Sequence, residues 1–254
     1  MPTSLQDTHP GRALDFQGRR VLVVGGSSGI GNAIAQGFLR AGASVHVWGT
    51  RPRVADYEST PGSTLDGLHY TQLDASDPEA IRTATWEGGM DTLVLSQGMV
   101  LYGREEFTDA GFRRVLEVNL SSLMSCCSRF VEPLRANKGS VIIINSTAAF
   151  RSTRGNPAYN ASKTGALGLT RTLGEAWAGD GIRVNGIAPG MIETKMTRVT
   201  TEHPKRRQAM VDRIPLGRIG SAQDMVGAAL FLASPLAAYV VGQTLSVDGG
   251  LNLA

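Results

Sequence analysis

Tyr159 and Lys163 stand four positions apart in a segment of helical period, a spacing that sets both side chains on one face of a helix. A phenol with a pKa near ~10 transfers protons poorly at neutral pH unless a nearby cation favours its phenolate. An ammonium one helical turn away supplies that bias. The pair reads as a proton-transfer site, although an amphipathic helix surface would carry the same two residues. A second chemical signal is Gly25-Gly26-Ser27-Ser28-Gly29-Ile30-Gly31, which follows an apolar run and opens a helix. Such a turn lets backbone N–H groups and a helix N-terminus approach a pyrophosphate, with glycine wherever a side chain would block the approach. Its spacing, Gly-x-x-x-Gly-x-Gly, departs from the better-known dinucleotide fingerprint, and a tight strand-to-helix turn accounts for the same residues.

These groups need a scaffold, and the rest of the chain supplies one. Short runs rich in Val and Ile alternate with longer segments of helical period, the signature of βαβ units around a parallel sheet. Seven strands are expected, at 20–24, 44–48, 68–73, 92–96, 141–145, 183–187 and 244–247. The run Val141-Ile142-Ile143-Ile144 shows no alternation, as expected when helices cover both faces of the sheet. Helices are expected at 30–41, 77–84, 108–116, 121–136, 159–178 and 222–233. Asp77 followed by Pro78 reads as an N-cap with proline in the first helical position, and Gly42 as a helix stop. The fold class is therefore α/β, a single Rossmann-type domain whose seven-stranded, mostly parallel sheet carries helices on both faces. Residues 1–17 are read as a polar N-terminal tail and 18–254 as the domain. Segment 191–215 is long, polar and poorly periodic, and is read as a variable substrate loop.

Composition excludes several classes. At 254 residues, 42% hydrophobic and 19% charged, the chain is long enough for a substantial core and ordinary enough to be globular. No apolar run approaches the roughly 18 residues of a membrane span, and the first residues lack the apolar stretch of a signal peptide. A cytoplasmic location is expected. The net charge of +3 comes without a dense basic stripe, so no nucleic-acid partner is expected, and Lys205-Arg206-Arg207 reads as a solvated helix start. The cysteines, Cys126 and Cys127, are adjacent and point apart on a helix. They read as small core or interface residues, and no metal site is expected.

Taken together, Gly25, Gly29 and Gly31, then Asn119, Ser146, Tyr159 and Lys163, then Pro189-Gly190 and Thr194 stand in the order and spacing of the short-chain dehydrogenase/reductase family, which this chain resembles. The resemblance runs from about Arg19 to the end, through Arg183-Val184-Asn185 and the closing Val247-Asp248-Gly249-Gly250. It implies a nicotinamide-dependent interconversion of a secondary alcohol and a carbonyl. Tyr159 would exchange the proton with the substrate oxygen, and Lys163 would lower the Tyr159 pKa and hold the nicotinamide ribose. Ser146 would donate a hydrogen bond where charge develops, and Asn119 would keep a water near Lys163. Cofactor contacts would come from Gly25, Ser27, Ser28, Gly29, Ile30, Gly31, Thr50, Arg51, Asp74, Gly98, Lys163, Pro189, Gly190 and Thr194. Local roles remain open for three of these residues: Asn119 as a helix N-cap, Asp74 as a loop cap, and Thr194 as turn chemistry.

The chain also departs from the family. Val24 stands where a threonine usually precedes the first glycine, and the fourth strand ends Leu95-Ser96-Gln97-Gly98 in place of Asn-Asn-Ala-Gly. Gln97 is read as reaching the nicotinamide ribose or substrate, or as a loop side chain bonded to backbone. At the end of the second strand an NAD site usually places a carboxylate, and here Gly49 is followed by Thr50 and Arg51. NADP is favoured over NAD, with Arg51 pairing to a 2′-phosphate, and dual use stays open. The substrate is a small-molecule alcohol or carbonyl, among them a 3-oxoacyl thioester or a cyclic alcohol or ketone, and Arg151 and Arg154 admit an anionic one. The alternative is a catalytically silent binding or regulatory subunit, which the intact Ser146, Tyr159 and Lys163 oppose. A hydrolase is disfavoured because Ser146 has no histidine at a motif-like position. Small and apolar residues on the helices at 121–136 and 159–178 point to oligomerisation, and the resemblance implies that it takes the form of a homotetramer.

Overall fold

The computed structural model describes residues 13–253. Its centre is a seven-stranded sheet of β1 (Arg20–Val24), β2 (Ser44–Gly49), β3 (His69–Gln72), β4 (Thr92–Leu95), β5 (Ser140–Ile144), β6 (Arg183–Pro189) and β7 (Thr244–Val247). The strand order is β3-β2-β1-β4-β5-β6-β7 and every pairing is parallel, so the expected mostly parallel sheet is wholly so. Side chains alternate across each strand, which splits the core in two. Val21 and Val23 pack with Ile34 and Phe38 on one face, while Leu22 and Val24 pack with Leu123, Phe130 and Leu134 on the other.

Helices α1 (Gly29–Arg40), α2 (Pro78–Thr83), α3 (Asp109–Leu116), α4 (Ser122–Asn137), α5 (Pro157–Ala178), α6 (Arg198–Thr201), α7 (Pro204–Val211) and α8 (Val226–Ala233) complete the fold. Their ends follow local chemistry. Asp77 caps α2 by accepting the N–H groups of Glu79 and Ala80 at 2.9 and 3.1 Å, with Pro78 in the first turn. Gly42, at φ +94°, turns the chain out of α1.

The elements depart from the sequence expectation in three places. Segment 191–215 is not a loop: it holds a 3₁₀ turn at Lys195–Thr197 and the helices α6 and α7. No residue of α7 is buried, so it has no apolar stripe to give a helical period, and the His203-Pro204 start is its only local signature. Phe16 belongs to the core and not to a polar tail, its ring meeting Phe38 edge-on at 5.0 Å. The remainder of the tail, residues 1–12, lies outside the described residues. Finally, α3 and α4 are joined by a π-helical turn, Glu117–Ser121, that carries Asn119. Among the described residues no helix is long and apolar enough to cross a membrane.

Candidate active site

Since β1 pairs with β2 on one side and β4 on the other, the chain reverses its winding direction there. A crevice opens beyond the C-terminal ends of the strands at such a point. A cleft of about 670 Å³ occupies that position. Of the expected site residues, Gly25, Ser27, Ser28, Gly29, Ile30, Gly31, Thr50, Asp74, Gly98, Ser146, Tyr159, Lys163, Pro189, Gly190 and Thr194 line it. Arg51 and Asn119 do not.

The glycine turn forms one end of this cleft. Gly25 and Gly29 take φ of +73° and +58°, conformations that L side chains rarely adopt. A Cβ on Gly31 would sit 2.3 Å from the Gly25 carbonyl oxygen, so the turn closes only with glycine at that position. Ser28 is the N-cap residue of α1, yet its side chain makes no capping bond. Across the turn, Thr194 is the nearest neighbour of a Cβ built on Gly29, with its methyl 3.7 Å away. Asp74 lines the cleft and also caps its own loop, accepting bonds from the Ser76 N–H and hydroxyl at 2.9 and 2.8 Å. Gly49 is crowded as well: a Cβ there would lie 2.6 Å from both the Ser27 and the Tyr57 hydroxyl oxygens. Arg51 does not reach into the cleft. Its guanidinium lies over the Tyr57 ring, 4.7 Å from the centroid, and donates to the Asp56 carbonyl and, at 2.7 Å, to Thr60 Oγ1.

The other end gathers Ser146, Tyr159 and Lys163. Two residues beyond the end of β5, Ser146 caps a short 3₁₀ turn at Thr147–Ala149, its Oγ accepting the Ala148 N–H at 3.1 Å. That contact fills an acceptor position and leaves the hydroxyl proton free to be donated. Lys163 is 4% exposed and donates a single 2.9 Å hydrogen bond, to the Ile144 carbonyl. Burial pulls its pKa down to about 8. Its Nζ lies 5.7 Å from the centre of the Tyr159 ring. The expected lowering of the Tyr159 pKa is not found. Burial pushes the phenol above its ordinary value, hydrogen bonding to Ser146 opposes the rise, and Tyr102 and Glu106 add to it. The physical reason is burial of the phenol, while the Lys163 ammonium points its hydrogen bond at the Ile144 carbonyl instead of at the phenol.

Asn119 is fully buried and does not cap a helix. Its amide accepts the Met99 N–H at 2.7 Å and donates to the Met99 carbonyl at 2.9 Å and to Ser162 Oγ at 3.2 Å. It therefore fixes the strand exit at Gly98 and Met99 against α5. Gln97 donates to Ser122 Oγ at 3.0 Å, and because that hydroxyl donates onward to the Val118 carbonyl, the orientation of the Gln97 amide is set. Its Oε1 is left buried and unpaired, as is Nδ2 of Asn145. Both residues line the cleft. The sequence reading missed Asn145 as a site residue; its signal is a polar residue directly after the apolar run Val141–Ile144 that ends β5. It also missed Tyr102, which donates to the Met196 carbonyl at 2.7 Å and so ties together two cleft-lining segments. Nothing in the sequence marks that contact.

A nicotinamide dinucleotide fits this donor set. The glycine turn is cleared of side chains, Lys163 has more N–H groups than acceptors, and two buried amide groups lack partners. The cysteines take no part, since both are buried and unpaired, and burial pushes the Cys126 thiol up to about 12 and Cys127 higher still.

Comparison with known proteins agrees with this geometry. A family model described as enoyl-(acyl carrier protein) reductase matches residues 24–252. The chain is similar to the 2-dehydro-3-deoxy-D-gluconate 5-dehydrogenase of Bacillus subtilis, with 37% identity over 94% of this chain and 96% of that protein. It is 36% identical to the 3-oxoacyl-(acyl-carrier-protein) reductase of Chlamydia pneumoniae, over 92% of this chain and 97% of that one. Among solved structures, a gluconate 5-dehydrogenase from Burkholderia cenocepacia in complex with NADP and tartrate superposes with a TM-score of 0.87. It is 28% identical, over 97% of this chain and 100% of the other.

Proposed function

Because this chain belongs to the short-chain dehydrogenase/reductase family, we propose that it is an NADP-dependent oxidoreductase that interconverts a secondary alcohol and a carbonyl. The observation that carries this reading is the meeting of Tyr159, Ser146 and an under-partnered, buried Lys163 on one wall of a cleft that ends in a glycine cradle. When bound, the cofactor supplies or accepts the hydride. In reduction Tyr159 donates its hydroxyl proton to the carbonyl oxygen, and in oxidation the phenolate takes the proton back. The Ser146 hydroxyl donates to the same oxygen as charge builds there. Lys163 uses its free N–H groups to hold a ribose, and Asn119 holds the Gly98-Met99 wall in place.

The choice of NADP is supported by the crowding at Gly49, where the Ser27 and Tyr57 hydroxyls occupy the space a ribose-binding carboxylate would need. Thr50 borders the cleft, and Arg51 stands behind it as the cation nearest in sequence. A polyhydroxy acid is the favoured substrate class, on the strength of the gluconate-type relatives and the exposed Lys195 at the cleft wall. A 3-oxoacyl thioester is the second reading, favoured by Met99, Val100 and Met196 on the same cleft and by the acyl-carrier reductase relative. Steady-state kinetics with both substrate classes and both cofactors decide between them. The expected result is a higher kcat/KM for NADP(H) than for NAD(H), with a polyhydroxy acid outrunning the thioester. A preference for NAD(H) would overturn the cofactor assignment.

The reading also includes a homotetramer in the cytoplasm. The outward face of α5 carries Ala161, Thr164 and Gly168, small residues that let a second helix approach closely. Light scattering should give close to four chain masses, and a monomeric mass at micromolar concentration would contradict the assembly. Subcellular fractionation tests the location.

A further inference from the structure

Glu106 is a carboxylate with no solvent exposure that pairs with no cation among the described residues. Its partners are three N–H donors. Oε1 accepts the backbone N–H of Leu101 at 3.0 Å and the side-chain amide of Asn156 at 3.2 Å, while Oε2 accepts the backbone N–H of Tyr159 at 2.9 Å. An ionised carboxylate removed from water is costly to keep, and hydrogen-bond donors together with the positive end of a long helix are what offset that cost. The helix is the 22-residue α5, whose own N-cap residue, Asn156, makes no side-chain capping bond. Glu106 takes over that task from a distant part of the chain.

The three donors belong to different parts of the site. Leu101 lies between Val100 and Tyr102, both of which line the cleft, Asn156 precedes the first turn of α5, and Tyr159 sits in that turn. Asn156 closes the unit by also donating to the Leu101 carbonyl at 3.0 Å. We propose that Glu106 is a positioning residue for the reaction: it locks the first turn of α5 to the loop after β4, and so sets the Tyr159 side chain against the wall the substrate meets. This inference rests on Tyr159 being the proton-transfer group. The charged and titratable groups that face the Tyr159 phenol are Lys163 on its own helix, Tyr102 from the cleft loop and Glu106 behind it, with the Ser146 hydroxyl alongside. The negative charge on Glu106 disfavours the phenolate, so removing it should ease ionisation.

The test uses two variants of the full chain. Glu106→Gln keeps the shape but replaces one acceptor oxygen with an amide that faces N–H groups, whereas Glu106→Asp keeps the charge and shortens the reach. For the Gln variant kcat should fall at least about tenfold while the KM for NADPH stays within about twofold of the parent. Tyrosinate absorbance assigned to Tyr159, by subtraction of a Tyr159→Phe control, should titrate at lower pH in the Gln variant and at the parental pH in the Asp variant. A Gln variant with kcat within about twofold of the parent, or with an unmoved Tyr159 titration, overturns the proposal. If the Gln variant does not fold, the Asp variant decides: a reduced kcat supports the proposal and a parental kcat overturns it. The absorbance titration needs no substrate. A parent enzyme that turns nothing over therefore defeats the functional reading, while the titration still judges Glu106.

Discussion

Tyr159→Phe is expected to lose about a hundredfold to ten-thousandfold in kcat while binding NADPH with nearly parental affinity. The ring still fills its place on α5, and the only loss is the hydroxyl that lies beside Ser146 and carries the transferable proton. Direction of reaction adds a second reading of the same group. Burial holds the phenol above its ordinary pKa, so at neutral pH it is the protonated, proton-donating form. Reduction should therefore keep its rate into the alkaline range, and oxidation should gain rate as pH rises. Kinetics in both directions across pH check this, and a Tyr159→Phe variant that keeps more than about a tenth of parental kcat would remove Tyr159 from the mechanism.

Lys163→Met is expected to damage both turnover and cofactor affinity, and at the same time to change how stability depends on pH. The buried ammonium has its pKa lowered from 10.5 to about 8, so between those values the unfolded chain binds a proton that the folded chain does not. Stability contributed through this group is therefore lowest below about pH 8, rises by about 1.4 kcal/mol per pH unit between the two values, and levels off above the unfolded pKa. The methionine variant lacks that rise. At neutral pH it is also freed of a buried charge, an advantage offset by the Ile144 carbonyl it leaves without a donor. Denaturant unfolding of parent and variant across the alkaline range measures the difference in slope. Parallel curves would show that the ammonium is not desolvated, and unchanged cofactor affinity would refute its contact with the ribose.

Much of this site was legible because a few local rules govern it. The Val141–Ile144 run shows no alternation because both faces of β5 are covered, and the glycines at 25, 29 and 31 are dictated by backbone conformation or close approach. The Tyr159-Lys163 spacing alone puts both side chains on one helix face. Other features left no local mark. The π turn at Glu117–Ser121 shifts one helical ladder without changing composition, and α7 has no buried stripe to reveal it. Phe16 stands among polar residues in sequence and meets Phe38 only once the chain folds. The Tyr159 pKa went the other way from its spacing argument because the direction Lys163 points, and the burial of both groups, are tertiary facts. Arg51 likewise found nearer partners in Tyr57, Asp56 and Thr60 than the cleft it was assigned to.

Hydride transfer in the cleft requires a cofactor that delivers hydride from the nicotinamide C4 and Tyr159 as proton partner. The most direct test supplies the parent enzyme with NADPH deuterated at the nicotinamide C4, together with the carbonyl forms of polyhydroxy acids and with 3-oxoacyl thioesters, and follows the label by mass spectrometry. Deuterium should appear on the carbinol carbon of at least one product, and should be nearly absent with Tyr159→Phe. A folded parent protein that binds NADPH yet transfers no label to any of these substrates would rule out hydride transfer to them in this cleft.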